Sequence, residues 1–167
     1  VWDKEIGWGP FPLIALLYTP DGRLAYGRAD ATVVMSECPG EITAYGAGCA
    51  GSGGFVPALG VTGCATAGGA IEVSISQALG GSTAFMLLGL GQGSSPLKGC
   101  TLLVDPVLPT IVPLGLAGSG AGNGSLVLPA ILPPSIPDVL FTLQAWIQDA
   151  GAVKGWATTN GVQVSLE

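Results

Sequence analysis

Charged residues are scarce in this chain, and histidine is absent. Of its 167 residues only 10% are charged, 5 of them basic and 11 acidic, whereas a typical soluble domain has about 25%. Imidazole is the commonest acid–base catalyst at neutral pH and the commonest transition-metal ligand. The composition therefore favours a structural or binding role, and we expect no enzymatic activity, no metal site and no cofactor.

Basic clusters and long apolar runs are missing as well. Nucleic-acid binding requires clustered lysine and arginine to neutralise phosphates, so we expect no nucleic-acid partner. The most apolar segments, 11–18 and 83–90, have the length of strands, and a membrane helix needs about 20 apolar residues. The sequence therefore predicts no membrane span. The five basic residues are isolated from one another: Lys4, Arg23, Arg28, Lys98 and Lys154.

The chain is rich in glycine and proline, with 28 and 13 residues, and has four cysteines. An even number of cysteines in such surroundings indicates disulfides and an oxidising compartment, and we expect a secreted or cell-surface protein. Zinc is disfavoured because the chain has no CxxC pair and no histidine. Of the three pairings we favour Cys49–Cys64, which closes a short Gly-rich excursion, and thus Cys38–Cys100.

Alternating apolar and polar residues predict strands at 71–76, 141–148 and 162–167, each with one buried face. Segments 83–90 and 101–104 are more uniformly apolar, which is typical of central strands or of strands covered on both faces. In segment 141–148 the alternation places three polar side chains on the outer face: Thr142, Gln144 and Gln148.

Clusters of glycine and proline separate these strands at the spacing of a β-sandwich or barrel. We therefore predict an all-β fold, an antiparallel β-sandwich of the jelly-roll or immunoglobulin-like kind with an N-terminal strand extension. The sandwich is assigned to residues 45–167 and the extension to 1–44. The predicted turns lie at 80–81, 89–93, 118–124, 133–134 and 160–161.

The N-terminal segment differs in sequence pattern from the rest of the chain. Residues 13–19 form an apolar strand that is expected to turn at Pro20-Asp21-Gly22 into a second strand at 23–26. A third short apolar strand is predicted at 31–35. This hairpin either completes the sandwich or extends from it.

From Tyr45 onward the chain carries a series of small motifs, beginning with YGAGCAGSGGFVP at 45–57. This segment resembles a Gly-rich C-terminal β-domain of bacterial secreted and cell-surface proteins, with a YGxGCxGSGGxxP opening. The resemblance covers about residues 45–167 and implies an exported β-domain without a catalytic set. The further matching segments are 63–64, 89–94, 99–104, 122–125, 143–145 and 159–161.

Two motifs imitate ligand sites. Gly46, Gly48 and Gly51 satisfy GxGxxG, but a dinucleotide site needs a helix to follow, and Ser52-Gly53-Gly54-Phe55 does not begin one well. These glycines are better explained by tight turns and close backbone approach. Asn123-Gly124-Ser125 matches a glycosylation acceptor sequence, although a Gly-rich turn is the better interpretation of it.

Three aspartates are candidates for calcium ligands or for a catalytic carboxylate pair, which would permit glycosidase chemistry. The chain has no DxDxD loop. Because aspartate commonly initiates turns, a turn role beside proline or glycine is the better interpretation. The three are Asp105, Asp138 and Asp149.

Trp146 and Trp156, together with Tyr45 or Phe55, are candidates for a sugar-binding platform, although aromatic residues of a small sandwich more often lie in its core. This platform would make the protein a monomeric secreted carbohydrate-binding module. That function is the alternative to the one that we favour.

Our leading hypothesis is self-assembly. Exposed edge strands pair with other strands unless charges or bulges protect them, and this chain has few charges. We expect subunits to assemble either by donation of the N-terminal strand to the sheet of an identical neighbour or by pairing of edge strands between identical subunits. Repeated head to tail, such a contact gives an extracellular filament, fibril or surface layer. The residues expected to anchor it are Trp8, Phe11, Leu13, Ile14, Leu16 and Leu17.

Overall fold

The computed structural model describes residues 15–18, 24–27 and 34–35 as backbone strands and residues 38–167 in full. They belong to two compact units, Val1–Glu37 and Cys38–Glu167. In the first unit β1 (Ala15–Tyr18), β2 (Leu24–Gly27) and β3 (Val34–Met35) form an antiparallel sheet in the order β1-β2-β3. Tyr18 pairs with Leu24, so the two strands of the predicted hairpin are antiparallel neighbours, and the turn predicted at 20–22 lies outside the described residues.

The second unit is a sandwich of two antiparallel sheets, so the all-β prediction is confirmed. The larger sheet has the order β4-β12-β10-β7-β8, with β11 also paired to β10, and the smaller has the order β5-β6-β9. Residues 38–44, grouped above with the extension, lie in this unit. Its strands are β4 (Glu41–Tyr45), β5 (Ala58–Gly63), β6 (Ala70–Gly80), β7 (Thr83–Leu97), β8 (Cys100–Gly115), β9 (Gly120–Ile131), β10 (Leu140–Gln148), β11 (Trp156–Thr158) and β12 (Gly161–Ser165).

The main core lies between the two sheets and follows the predicted alternation. In β10, Leu143, Ala145 and Ile147 are buried in the same cluster as Ile75 of β6 and Val164 of β12. Alternate residues of a strand point to opposite faces of its sheet, which is why the period-two segments identified these strands. Among the described residues the helical segments are single turns, η1 (Ser52–Gly54) and η2 (Val153–Gly155), and none of them has the length and apolarity to span a membrane.

The outer face of β10 is also buried, which corrects one prediction. Thr142 and Gln144 were expected to face outward to solvent, but both are fully buried. Residues 89–105 of the β7–β8 hairpin cover them: the Thr142 hydroxyl donates to the Gly91 carbonyl (2.8 Å) and the Gln144 amide nitrogen donates to the Thr101 carbonyl (3.0 Å). Gln148, beyond this cover, is exposed as predicted.

The glycines at 89–93 were predicted to form a turn, but they lie inside β7. The β7–β8 pairing shifts register after Leu87 and after Gln92, and glycine is common at such bulges. A Cβ on Gly89 would lie 2.9 Å from the Thr142 hydroxyl oxygen and 3.0 Å from Val104. The hairpin can therefore approach β10 only because this residue has no side chain. Its tip lies at Lys98 and Gly99, which both have positive φ.

The predicted turn at 118–124 is also shorter than expected, because β9 begins at Gly120. Asn123 lies inside this strand, next to an irregularity in the β6–β9 pairing. Gly124 is buried, and a Cβ there would lie 2.6 Å from the Leu79 backbone. This glycine therefore permits close strand approach rather than a turn.

All four cysteines form disulfides, but the preferred pairing was wrong. The bonds are Cys38–Cys64 and Cys49–Cys100, with Cα separations of 5.4 and 5.6 Å. Cys38 precedes β4 and Cys64 follows β5, and these strands are in contact. Cys49 bridges to Thr158, beside the hairpin tip that carries Cys100. Folding brings distant positions together here, so separation along the chain was a poor guide. The two bonds indicate an oxidising environment.

Candidate binding site

One side of the sandwich is closed and the opposite side is open. On the closed side β4 contacts β5 and the Cys38–Cys64 bond links the ends of these strands. On the open side lie β8 and β9. Val112 pairs with Met86 and Leu128 pairs with Val73, so both point into the space between the sheets. They are nevertheless 39% and 42% exposed, which means that the core is incomplete along this side.

A groove follows this incomplete core, and we call it the open groove. It has a volume of about 240 Å³ and purely apolar walls. Val112 and Leu114 of β8 form one wall, Leu128 and Leu132 the other, and Met86, Phe141 and Leu143 lie deeper. The outward residues Val127 and Ile131 of β9 are exposed as well. An apolar surface of this extent on both sheets is typical of an interaction site.

The strands beside the open groove are protected by proline rather than by charge. Strand β9 has no charged residue and β8 has only Asp105, but β8 contains Pro106, Pro109 and Pro113, and β9 contains Pro129. Proline in a strand removes a backbone donor and is found at sheet edges. These edges therefore offer carbonyl acceptors and apolar side chains, but few amide donors.

A second cavity, which we call the Trp156 cleft, lies on the other face of β8. Its volume is about 230 Å³. Trp156 lies 5.8 Å from Phe85 and 6.2 Å from Trp146, measured between ring centroids. The Lys98 ammonium lies 4.7 Å from the centre of the Trp156 ring, which is within the range of a cation–π contact. Leu97 and Ile111 form the exposed rim and Leu87 lies in the floor.

The structure brings together only part of the predicted aromatic platform. Trp146 and Trp156 line the cleft, but Tyr45 and Phe55 do not. The Tyr45 hydroxyl donates to the Leu103 carbonyl (2.6 Å), and burial raises the pKa of this phenol. Phe55 lies over Gly122. Phe85 and Lys98, which were not predicted from the sequence, line the cleft instead. No local pattern indicates these two residues, because strand register and the folded β7–β8 hairpin bring them here.

Asp149 has the turn role that was predicted for it. Its carboxylate accepts hydrogen bonds from the amide (2.7 Å) and hydroxyl (2.5 Å) of Ser52 and from the amide of Gly151 (3.0 Å). Burial acts to raise the pKa of Asp149, but these hydrogen bonds outweigh it, and the pKa lies below its ordinary value. Asp105 and Asp138 are exposed. Within the described residues no group of three side chains is placed to bind a metal ion.

The GxGxxG glycines serve close packing. A Cβ on Gly48 would lie 2.3 Å from the Thr158 carbonyl oxygen and one on Gly51 would lie 2.4 Å from the Asp149 carboxylate. No α-helix follows them, since η1 is a single turn. Asn123 is exposed and its amide donates to the Ser119 carbonyl (3.2 Å). Its glycosylation stays a prediction.

Most of the predicted assembly residues lie outside the described part of the chain: Trp8, Phe11, Leu13 and Ile14. Leu16 and Leu17 are in β1, of which only the backbone is described. Comparisons of the chain with protein-family models, with curated proteins and with solved structures find no match. The resemblance of residues 45–167 to a Gly-rich bacterial domain therefore stays a prediction.

Proposed function

We propose that the protein is a structural subunit that assembles with copies of itself, and that the open groove receives residues 11–18 of a neighbouring copy. The observation that carries this proposal is the exposure of Val112 and Leu128, two side chains that point into the core. A sandwich that ends in this way exposes apolar surface that a further apolar segment would cover.

Residues 11–18 have the pattern that such a segment needs. They read Phe-Pro-Leu-Ile-Ala-Leu-Leu-Tyr, so both faces of a strand formed by them are apolar, whereas a half-buried strand would alternate. Strand β8 likewise has apolar side chains on both faces, with Val112 toward the open groove and Ile111 toward the Trp156 cleft. A strand laid beside β8 would contact apolar surface on both sides.

The prolines of β8 and β9 determine what would hold this segment in place. Because several edge amides are missing, a full ladder of backbone hydrogen bonds cannot form. Side-chain burial therefore supplies most of the free energy of association. Burying one leucine side chain contributes about 1.5–3 kcal/mol, so several of the apolar side chains of this segment must be buried together to exceed the free-energy cost of association.

The donor and acceptor surfaces differ, so the contact is heterologous. Repeated contacts of this kind give an open filament unless they close into a ring. A surface with few charges supports self-association, since net charge normally keeps proteins apart. With the oxidising environment that two disulfides indicate, this leads us to an extracellular filament or surface layer.

A single substitution in the groove tests this proposal. Leu128→Asp places a carboxylate where the donated segment would bind, and the fold should tolerate it because Leu128 is already partly exposed. We expect light scattering to give a polymer for the unaltered chain and a monomer of 16.6 kDa for the variant. The matched control is Leu90→Asp, at an exposed leucine that lines neither cavity, which should still polymerise. Equal assembly of both variants would disprove the proposal.

A further inference from the structure

We propose that the Trp156 cleft binds a small apolar organic carboxylate, with its apolar part against the tryptophans and its carboxylate paired with Lys98. This site is separate from the open groove, since it lies on the opposite face of β8, and the inference does not depend on self-assembly.

The lining of the cleft defines the apolar part of the ligand. Every lining residue except Lys98 is apolar, and the one polar atom of Trp146 is already engaged, because its indole N–H donates to the Gln144 side-chain oxygen (3.1 Å). The cleft of about 230 Å³ is smaller than the roughly 300–1,000 Å³ of a drug-sized site. It therefore fits one or two fused rings or a short acyl chain.

Lys98 defines the charge of the ligand. Its ammonium is held over the Trp156 ring and uses no lining side chain as an acceptor, so it can pair with an anion at the rim. Lys98 occupies a left-handed backbone conformation, with φ of 49°, in a turn where glycine or asparagine is usual. The turn thus carries a lysine at a conformational cost and places its charge at the mouth of the cleft.

The same lining disfavours a neutral sugar. Sugar hydroxyls need several hydrogen-bonding side chains around the stacking aromatic ring, and a site whose polar partners are missing loses affinity for such ligands. The lining side chains offer two donors, the Lys98 ammonium and the Trp156 indole N–H, and no acceptor. Lining and charge together favour an apolar carboxylate over a carbohydrate.

Two probes of the same shape test the inference on the full-length chain that carries Leu128→Asp, which keeps it monomeric for NMR and leaves every residue of the cleft unchanged. 1-Naphthoate carries the carboxylate and 1-naphthamide is its uncharged counterpart. Their binding is measured by titration of the tryptophan indole N–H signals in NMR spectra, assigned with Trp146→Phe and Trp156→Phe variants. We expect both probes to shift the Trp156 signal, and naphthoate to bind roughly fivefold more tightly, which is about 1 kcal/mol.

The matched variants are Lys98→Met and Lys154→Met. Both lysines are exposed and have positive φ, but only Lys98 lines the cleft. Lys98→Met should abolish the preference for naphthoate, Lys98→Arg should retain it, and Lys154→Met should leave it unchanged. Leu97→Glu, at the exposed rim, should weaken the binding of naphthoate more than the binding of naphthamide.

Three results would overturn the inference: equal binding of the two probes by the monomeric chain whose cleft is unaltered, an unchanged preference in Lys98→Met, or a shift of the Trp156 signal by neutral oligosaccharides but not by naphthoate. Light scattering on Lys98→Met should give the same mass as for the unaltered chain. Failure here is thus distinguishable from failure of the assembly proposal.

Discussion

Gln144 joins the sandwich to the hairpin that covers it. Its side-chain oxygen accepts hydrogen bonds from the Leu103 amide (2.9 Å) and the Trp146 indole (3.1 Å), and its amide group donates to the carbonyls of Thr101 (3.0 Å) and Thr159 (3.1 Å). All of its hydrogen-bonding capacity on both atoms is therefore used in the interior, where unpaired polar groups are costly.

Replacing Gln144 by leucine should destabilise the protein strongly. The substitution removes the Gln144 partner of four groups, three of them in buried hydrogen bonds. A buried group left unpaired costs about 1–3 kcal/mol, so we expect the free energy of unfolding to fall by about 3 kcal/mol or more in urea titrations. Gln163→Leu is the control, since Gln163 is half-exposed and, among the described residues, its side chain forms a hydrogen bond only with Gln92. Equal decreases in the free energy of unfolding for the two variants would show that Gln144 does not have this role.

Asp149 should make stability depend on pH. Its pKa in the folded protein lies below the ordinary value of 3.8, so the folded state binds the proton less tightly than the unfolded chain does. The stabilisation is complete above pH 3.8 and is lost as the pH falls through the lower folded pKa. As the pH is lowered, unfolding titrations should show a smaller decrease in the free energy of unfolding for Asp149→Asn than for the unaltered protein. For the control Asp138→Asn, at an exposed residue, the free energy of unfolding should decrease in acid as much as it does for the unaltered protein. An equally large decrease for Asp149→Asn would contradict this role of Asp149.

At the level of elements, the Cys49–Cys100 bond fixes the tip of the β7–β8 hairpin against the residues near Thr158. The bond closes a chain segment with a sequence separation of 51, for which loop entropy gives about 4 kcal/mol. We expect Cys49→Ala/Cys100→Ala to lower the free energy of unfolding by about this amount. Peptide mapping of the unreduced protein should recover Cys38–Cys64 and Cys49–Cys100, and recovery of Cys49–Cys64 would contradict the structure.

The strands that sequence predicted best are those with one face in the main core. The alternation at 71–76, 141–148 and 162–167 corresponds to β6, β10 and β12 because a period of two follows directly from strand geometry. The same pattern shows that a strand has two faces, but not what covers the second face, which is why Gln144 was misplaced. Glycine at 89–93 was ambiguous in the same way, because bulges and turns both favour it.

The candidate sites were less predictable, because each depends on residues that only folding brings together. Trp146 and Trp156 were identified from their residue type. Phe85 and Lys98 reach the cleft through β-sheet register and through the folded hairpin, neither of which leaves a local pattern. The open groove is likewise a property of strand order, since it exists because β8 and β9 lie at edges on the same side.

At the scale of the whole molecule, the central feature is the contrast between a closed and an open side within the Cys38–Glu167 unit. A disulfide and contact between β4 and β5 complete one side, whereas Val112 and Leu128 leave the core exposed on the other. A chain that contains both an incomplete core and a segment apolar on both faces can complete the core with that segment in two ways, with the segment of another copy or with its own. A head-to-tail polymer uses the first way.

Mixing two complementary variants most directly distinguishes donation of the segment between copies from its insertion into its own chain. Leu16→Asp/Leu17→Asp changes both faces of the donor strand and leaves the groove intact, while Leu128→Asp changes the groove and leaves the donor strand intact. Analytical ultracentrifugation should show each variant alone as a 16.6 kDa monomer and the mixture as a dimer of twice that mass, with no larger species. If the mixture remained monomeric, or if either variant alone polymerised like the unaltered chain, strand donation between copies would be wrong.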